Sequence, residues 1–219
     1  MLFVGRELLR LERRRQPRGN ARARSREREA PICCPGMSAS PSFTRLEPFS
    51  FSIPRLATAR LRLREPRLED FESFAANAAD PLARAHIGGG LSRREAWRRF
   101  LSAAGTWVTQ DKGWWMIDVP GIGAVGSVGI FRRETGPELE IGWSVDRAYW
   151  GRGYATEAAR AALDYALTDL GDRVIAMIAP DNAPSIGVAE RIGMRRETEH
   201  VDVEFGPHWI YAAERAAGA

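Results

Sequence analysis

The chain reads Glu138-Leu139-Glu140-Ile141-Gly142-Trp143-Ser144-Val145-Asp146-Arg147-Ala148-Tyr149-Trp150-Gly151-Arg152-Gly153-Tyr154-Ala155-Thr156-Glu157-Ala158, and continues rich in alanine and leucine to Leu170. Its first eight residues alternate. Leu139, Ile141, Trp143 and Val145 fall on one side, and Glu138, Glu140, Gly142 and Ser144 on the other, the period of a half-buried strand. From Tyr154 the apolar positions recur at three and four through Ala155, Ala158, Ala159, Ala162, Leu163, Ala166, Leu167 and Leu170, the stripe of a packed helix. The unit is a strand, a turn with two glycines, and a helix.

Such a unit has a chemical use. The first N–H groups of a helix lack intrahelical partners and stand at the positive end of its dipole, where they can receive an anion, most often a phosphate. Gly151 and Gly153 would let a diphosphate approach the backbone. The spacing is neither that of a P-loop nor that of a dinucleotide fingerprint. On spacing alone, a tight turn ahead of an alanine-rich helix explains the glycines equally well.

Working outward, Arg173 to Ala179 is a continuous apolar run, as in a strand buried on both faces. Asp181 or Asn182 caps a helix with Pro184 in its first turn. Glu197 to Ala213 reads as two strands turning at Phe205-Gly206-Pro207. Upstream, Arg60-Leu61-Arg62-Leu63-Arg64 alternates as a strand ended by Pro66, and Leu68 to Ala75 forms a short helix. Ser92 and Glu95 make a capping box for a helix to about Thr109. Gly113 to Asp118 and Ala124 to Phe131 complete an antiparallel meander with 138–145. The expected class is α/β, a mixed, mostly antiparallel sheet flanked by helices.

The segment Trp150-Gly-Arg-Gly-Tyr-Ala-Thr-Glu-Ala158 resembles the acyl-CoA signature of the GCN5-related N-acetyltransferase (GNAT) superfamily, in the form of its ribosomal-protein N-terminal acetyltransferase-like (RimJ/RimL-type) branch. Pro180-Asp-Asn182-Ala-Pro-Ser185-Ile-Gly-Val-Ala-Glu190-Arg-Ile-Gly193-Met194 is similar to a second block of that family. With Leu56 to Arg64 as the first strand, the likeness covers about residues 55–215. It implies that strands 138–145 and 173–179 splay apart and that acetyl-CoA lies in the V between them. Trp143, Ser144, Val145, Trp150, Gly151, Arg152, Gly153, Tyr154, Ala155, Thr156, Asn182 and Ser185 are then the expected cofactor-binding residues. No metal is expected.

The implied reaction is direct transfer of an acetyl group to a primary amine, on a protein N-terminus or a small molecule. The amine must lose a proton to attack a thioester. Glu140 is the first choice as base and Glu138 the second. A backbone N–H near Trp143 to Val145 is the oxyanion donor that the resemblance implies. Many members of the family protonate the departing thiolate with a tyrosine at the position that is Ala189 here, so Ser185 is the expected acid. A non-catalytic acyl-CoA-binding sensor is the alternative. Trp114 or Trp115 is expected to line the acceptor pocket. His86, His200 and His208 show no metal-ligand spacing and are read as loop or core residues.

Composition bounds the rest. The 219 residues are 44% hydrophobic, enough for one domain with a core. No apolar run approaches the roughly 18 to 20 residues of a membrane helix, so no membrane partner is expected. Residues 1–36 hold ten Arg and four Glu, a net of +6; since the whole chain carries +4, residues 37–219 carry −2. Residues 1–54 are therefore expected to be a disordered Arg-rich leader ahead of the domain at 55–215. It could be a nucleic-acid-binding arm or a transit peptide, but the preferred reading starts the protein at Met37, and nucleic acid is not expected as a partner. Both cysteines, Cys33 and Cys34, lie in the leader, which leaves the domain without a disulfide and suits the cytoplasm. A monomer or a homodimer fits equally.

Overall fold

The structure is a computed structural model, and residues 50–134, 136–202 and 206–215 of it are described. The chain divides into two units, Met1–Pro48 and Phe49–Ala219, and all described residues belong to the second. The readings of residues 1–49 of the leader, of its cysteine pair and of a start at Met37 lie outside the described residues, as does Phe205 of the last turn; the leader's last residues are described, and Ile53 packs against the core.

Eight strands form one sheet: β1 Leu56–Ala57, β2 Arg62–Arg64, β3 Trp114–Val119, β4 Gly123–Phe131, β5 Leu139–Val145, β6 Arg173–Ile178, β7 Arg195–Asp202 and β8 Gly206–Glu214. Their order is β1-β2-β3-β4-β5-β6-β8-β7, antiparallel throughout except for the parallel pair β5–β6. The helices are α1 Phe71–Ala79, entered by a 3-10 turn at Leu68–Asp70, α2 Arg93–Gln110, α3 Tyr154–Tyr165 and α4 Ala183–Arg191. This is the mixed, mostly antiparallel sheet flanked by helices that the patterning predicts.

Local chemistry explains the boundaries. The Ser92 hydroxyl accepts from Glu95 N–H while the Glu95 carboxylate accepts from Ser92 N–H, and this capping box starts α2. Asn182 caps α4 by accepting from Ser185 N–H at 3.2 Å. The helix expected to run to Leu170 ends its last turn, Ala166–Leu170, as a π-helix, closed by Gly171 N–H on the Ala166 carbonyl.

The main core lies between the sheet and α3. Ala158, Ala159 and Ala162 are fully buried, and their small side chains let the helix settle closely on Ile141, Ile130 and Val128. Trp115 is the largest buried residue on this face; it meets Trp107 edge-on, and its indole N–H donates to the Pro54 carbonyl. A smaller cluster of Phe71, Ala75, Ala78, Ala96, Phe100 and Met116 seats α1 and α2 on the opposite face. Beside it, Arg64 donates to both oxygens of Asp70 at 2.8 Å and to Asp118 at 3.1 Å. Its bonds to Asp70 hold the Arg64 guanidinium above its usual range, against the opposing effect of burial.

Candidate active site

Strands β5 and β6 pair only through Leu139 with Val174 and Glu140 with Ile175. Beyond that point β5 stays with β4 as far as Val145, and β6 stays with β8 as far as Ile178. The two strands therefore part after Glu140, and the edge of β5 from Gly142 to Val145 has no strand beside it among the described residues. Backbone N–H and C=O groups on such an edge are ready to pair with an extended ligand.

The open edge leads into the turn before α3. Gly151 and Gly153 hold φ of +74° and +78°, a region in which a side chain would be strained, and both are exposed. Gly153 is the N-cap of α3 and contributes no capping side chain; the first helical bond runs from Glu157 N–H to the Gly153 carbonyl. The N–H groups of Tyr154, Ala155 and Thr156 thus open at the positive helix end.

Other parts of the chain brace this turn. Glu157 accepts from the Thr58 hydroxyl at 2.6 Å, from Arg60 N–H at 2.9 Å and from the Arg60 guanidinium at 2.7 Å. Arg60 also donates to the Arg152 carbonyl and lies over the Tyr154 ring. Burial raises the Glu157 carboxyl, but the bonds from Thr58 and Arg60 outweigh it and hold the group below the usual carboxylate range. Trp150 donates its indole N–H to the Val145 carbonyl at 2.6 Å, pinning the turn to the end of β5. Arg152 is exposed and stands over the Tyr149 ring. The Thr156 hydroxyl accepts from Arg191 on α4. On the far wall of the V, Asn182 is engaged as a cap, and the half-buried Ser185 hydroxyl has no partner among the described residues.

The two acids of β5 have different surroundings. Glu138 is about half exposed and shares Arg173 with Glu197 and Glu214 on the surface. Glu140 is 5% exposed, and its two oxygens accept from Arg133 at 2.5 and 2.9 Å. Arg133 also stands 3.6 Å from Asp202. Glu140 opens on the same face as Trp114, which stacks on Phe131 and lies over Gly129 and Gly142, where any Cβ would meet the indole within 3 Å. Trp114 is thus the tryptophan beside Glu140, and Trp115 belongs to the core. Ser144 accepts from Asn77 of α1; Trp143 is partly buried against the main core, and Val145 is buried in it.

Glu140 stands at the base of the V, in the last pair between β5 and β6, and the turn follows the open edge at the other end of β5. Sequence reading missed Arg133 and the Thr58–Arg60–Glu157 brace, whose partners lie up to 99 residues apart with no spacing to announce them. Ala189 is fully buried in the core. His208 is buried with Nδ1 on the Gly206 carbonyl, His86 lies 3.2 Å from Asp181, and His200 is exposed on β7. A separate cavity of about 560 Å³ lies against β2 and α1, lined by Arg62, Arg64, Asp70 and Asp118, and shares none of these site residues.

The family described as the acetyltransferase (GNAT) domain matches residues 60–195, more than half of the chain. The chain belongs to the GNAT acetyltransferase family. The uncharacterized N-acetyltransferase YnaD of Bacillus subtilis is 30% identical to it over 148 residues, covering 65% of this chain and 83% of that relative. A crystal structure of an acetyltransferase from Agrobacterium tumefaciens superposes with a TM-score of 0.67 at 32% identity, covering 78% of this chain and 100% of the other. RimJ of Mycobacterium smegmatis, solved in complex with CoA-disulfide, shares the fold with a TM-score of 0.57 at 23% identity, over 70% of this chain and 81% of that one. The protein is accordingly an acyl-CoA-dependent acetyltransferase of the GNAT fold. No helix among its described residues is long and apolar enough to cross a membrane.

Proposed function

We propose that the protein transfers an acetyl group from acetyl-CoA to a primary amine, on a protein N-terminus or a small molecule, by direct attack. The observation that carries this reading is the unpaired edge of β5 running straight into the two-glycine turn at the start of α3. The edge from Trp143 to Val145 would pair with pantetheine, and the N–H groups from Gly151 to Thr156, with Arg152, would hold the diphosphate. Asn182 and Ser185 would close the other wall.

The attacking nitrogen needs a lone pair, and an α-amino group or a lysine is largely protonated at neutral pH. Glu140, directly or through water, takes that proton once Arg133 releases one of its oxygens. Nitrogen then bonds to the thioester carbon, a β5 backbone N–H receives the oxyanion, and collapse expels the thiolate. The Ser185 hydroxyl, half-buried and without a partner among the described residues, would protonate the departing sulfur. A protein N-terminus gains support from one neighbour in fold, RimL, described as an α-N-acetyltransferase of a ribosomal protein in complex with coenzyme A.

The Arg133–Glu140 pair also favours a second reading, an acyl-CoA-binding sensor whose base is permanently masked. Release of free CoA thiol from acetyl-CoA separates the two. The full chain would be offered peptides beginning with Ser, Ala or Thr, aminoglycosides, polyamines and amino acids. Amine-dependent release that falls in Glu140→Gln supports the enzyme. Tight acetyl-CoA binding without release for any amine supports the sensor, and absence of binding refutes the cradle.

A further inference from the structure

The stretch Leu61-Arg62-Leu63-Arg64 alternates through β2, and both leucines are buried in the main core. Arg62 and Arg64 therefore stand on the opposite face of the sheet, where Arg62 lies in register with Asp118 of β3. That face, the start of α1 and the turn between β3 and β4 border the cavity of about 560 Å³. Small-molecule sites span about 300 to 1,000 Å³, so the space suits one small ligand. In the sheet, β3 and β4 separate it from the open edge of β5.

The charges around this cavity are matched except at one residue. Buried Arg64 donates to both oxygens of Asp70, to Asp118 and to the Glu65 carbonyl. Arg55 and Arg67 both donate to Glu65, and Arg67 also stands 3.5 Å from the exposed Glu69. Each of these carboxylates thus has an arginine. The Arg62 side chain lines the cavity, is exposed, and has no hydrogen bond or ion pair among the described residues. A guanidinium presents a planar fork of donors that fits two oxygens of a carboxylate or a phosphate. A cationic ligand would instead find every acid engaged and Arg62 opposing it. Apolar side chains share the lining: Leu56, Ala57 and Ala124, with Ile122 51% exposed at the turn. Covering that isoleucine takes apolar surface from water, which favours a ligand with an apolar body behind its anionic head.

We infer that this cavity binds a small organic oxyanion, a carboxylate or a phosphate monoester on a short apolar body, with Arg62 holding the anionic head and Ile122 and Leu56 covering the body. The inference is independent of acetyl transfer. The test is calorimetric titration of the full chain with benzoate and with phenyl phosphate, beside neutral benzyl alcohol and cationic benzylamine. At least one of the two anions binds saturably at millimolar concentration, the tighter one naming the head, and neither control binds. Arg62→Gln, which breaks no contact among the described residues and should melt as the parent does, weakens binding about tenfold or more. Ile122→Ser weakens it several-fold, and Gly153→Ala, in the turn before α3, leaves it unchanged. Absence of saturable binding by both anions overturns the inference, as does benzylamine binding as well as they do. Binding that survives Arg62→Gln, or that falls in Gly153→Ala instead, would place the anion on the Arg-rich residues 1–36 or in the turn and overturn it too.

Discussion

The pairing of Glu140 with Arg133 can be separated from the chemistry of Glu140 by a double-mutant cycle. The two partners are unequally buried: the Glu140 side chain is 7% exposed and that of Arg133 is 36%. Arg133→Met strands a carboxylate in the interior, and loss of one member of a buried pair costs about 3 to 5 kcal/mol. With Arg133 partly hydrated, the lower end, about 3 kcal/mol, applies. Glu140→Gln leaves a guanidinium that still reaches water and Asp202 at 3.6 Å, so its cost is about 1 kcal/mol. The double variant, with no stranded charge, also loses about 1 kcal/mol. Urea melts of all four proteins would then show coupling of about 3 kcal/mol. Thiol release run on the same proteins isolates the base: Glu140→Gln and the double variant lose roughly a hundredfold or more, while folded Arg133→Met retains turnover. A double variant as active as the parent would make Glu140 purely structural. Equal stability costs for the two single variants would refute the argument from burial.

Gly153→Ala places a side chain at φ +78°, at a cost of about 1 to 2 kcal/mol, and sets a methyl 3.4 Å from the Arg60 guanidinium, in the turn proposed to hold the diphosphate. Calorimetric titration with CoA should show affinity reduced about tenfold, while Gly105→Ala on α2, where a Cβ meets nothing, leaves it unchanged. Asp70→Asn removes the main partner of buried Arg64 and should cost about 3 kcal/mol, lowering Tm by roughly 6 to 12 °C. Acid should weaken the β1–β2 region: bonds from Arg55 lower the Glu65 carboxyl from 4.5 to about 2, so its contribution is complete above 4.5 and disappears as pH falls toward 2. Glu65→Gln should flatten melting temperature against pH across that window.

What could be read from the sequence was local. Alternation from Leu139 to Val145, the Ser92–Glu95 box and the Asn182 cap each involve residues within a few positions, and each stands where the pattern puts it. Alternation also placed Glu138 and Glu140 on one face of the strand. It could not show that one would join a surface network while the other was enclosed by Arg133, because that depends on where the loop after β4 returns. Likewise the glycines of the turn were visible, but the Thr58–Arg60 brace exists only once β1 and β2 reach the start of α3. Adjacent Trp114 and Trp115 were known to face opposite ways. Which one faced the site depended on the register of β3 against β4, where Gly129 makes room for one indole.

The V owes its shape to the neighbours of the two strands. β5 is fastened to β4 from Glu140 to Val145, and β6 to β8 from Arg173 to Ile178, so each arm is complete without the other. Two residue pairs at the base are all the joining that remains, and α3 crosses from one arm to the other behind them, packed by fully buried alanines. Closing the V would mean breaking ladder bonds on at least one side, at about 1 kcal/mol for each bond lost. An incoming extended ligand therefore meets an edge already open and a turn already braced by Arg60 and Glu157. No strand has to be displaced for it to bind, so the ordering cost that a flexible site would impose on affinity is largely avoided.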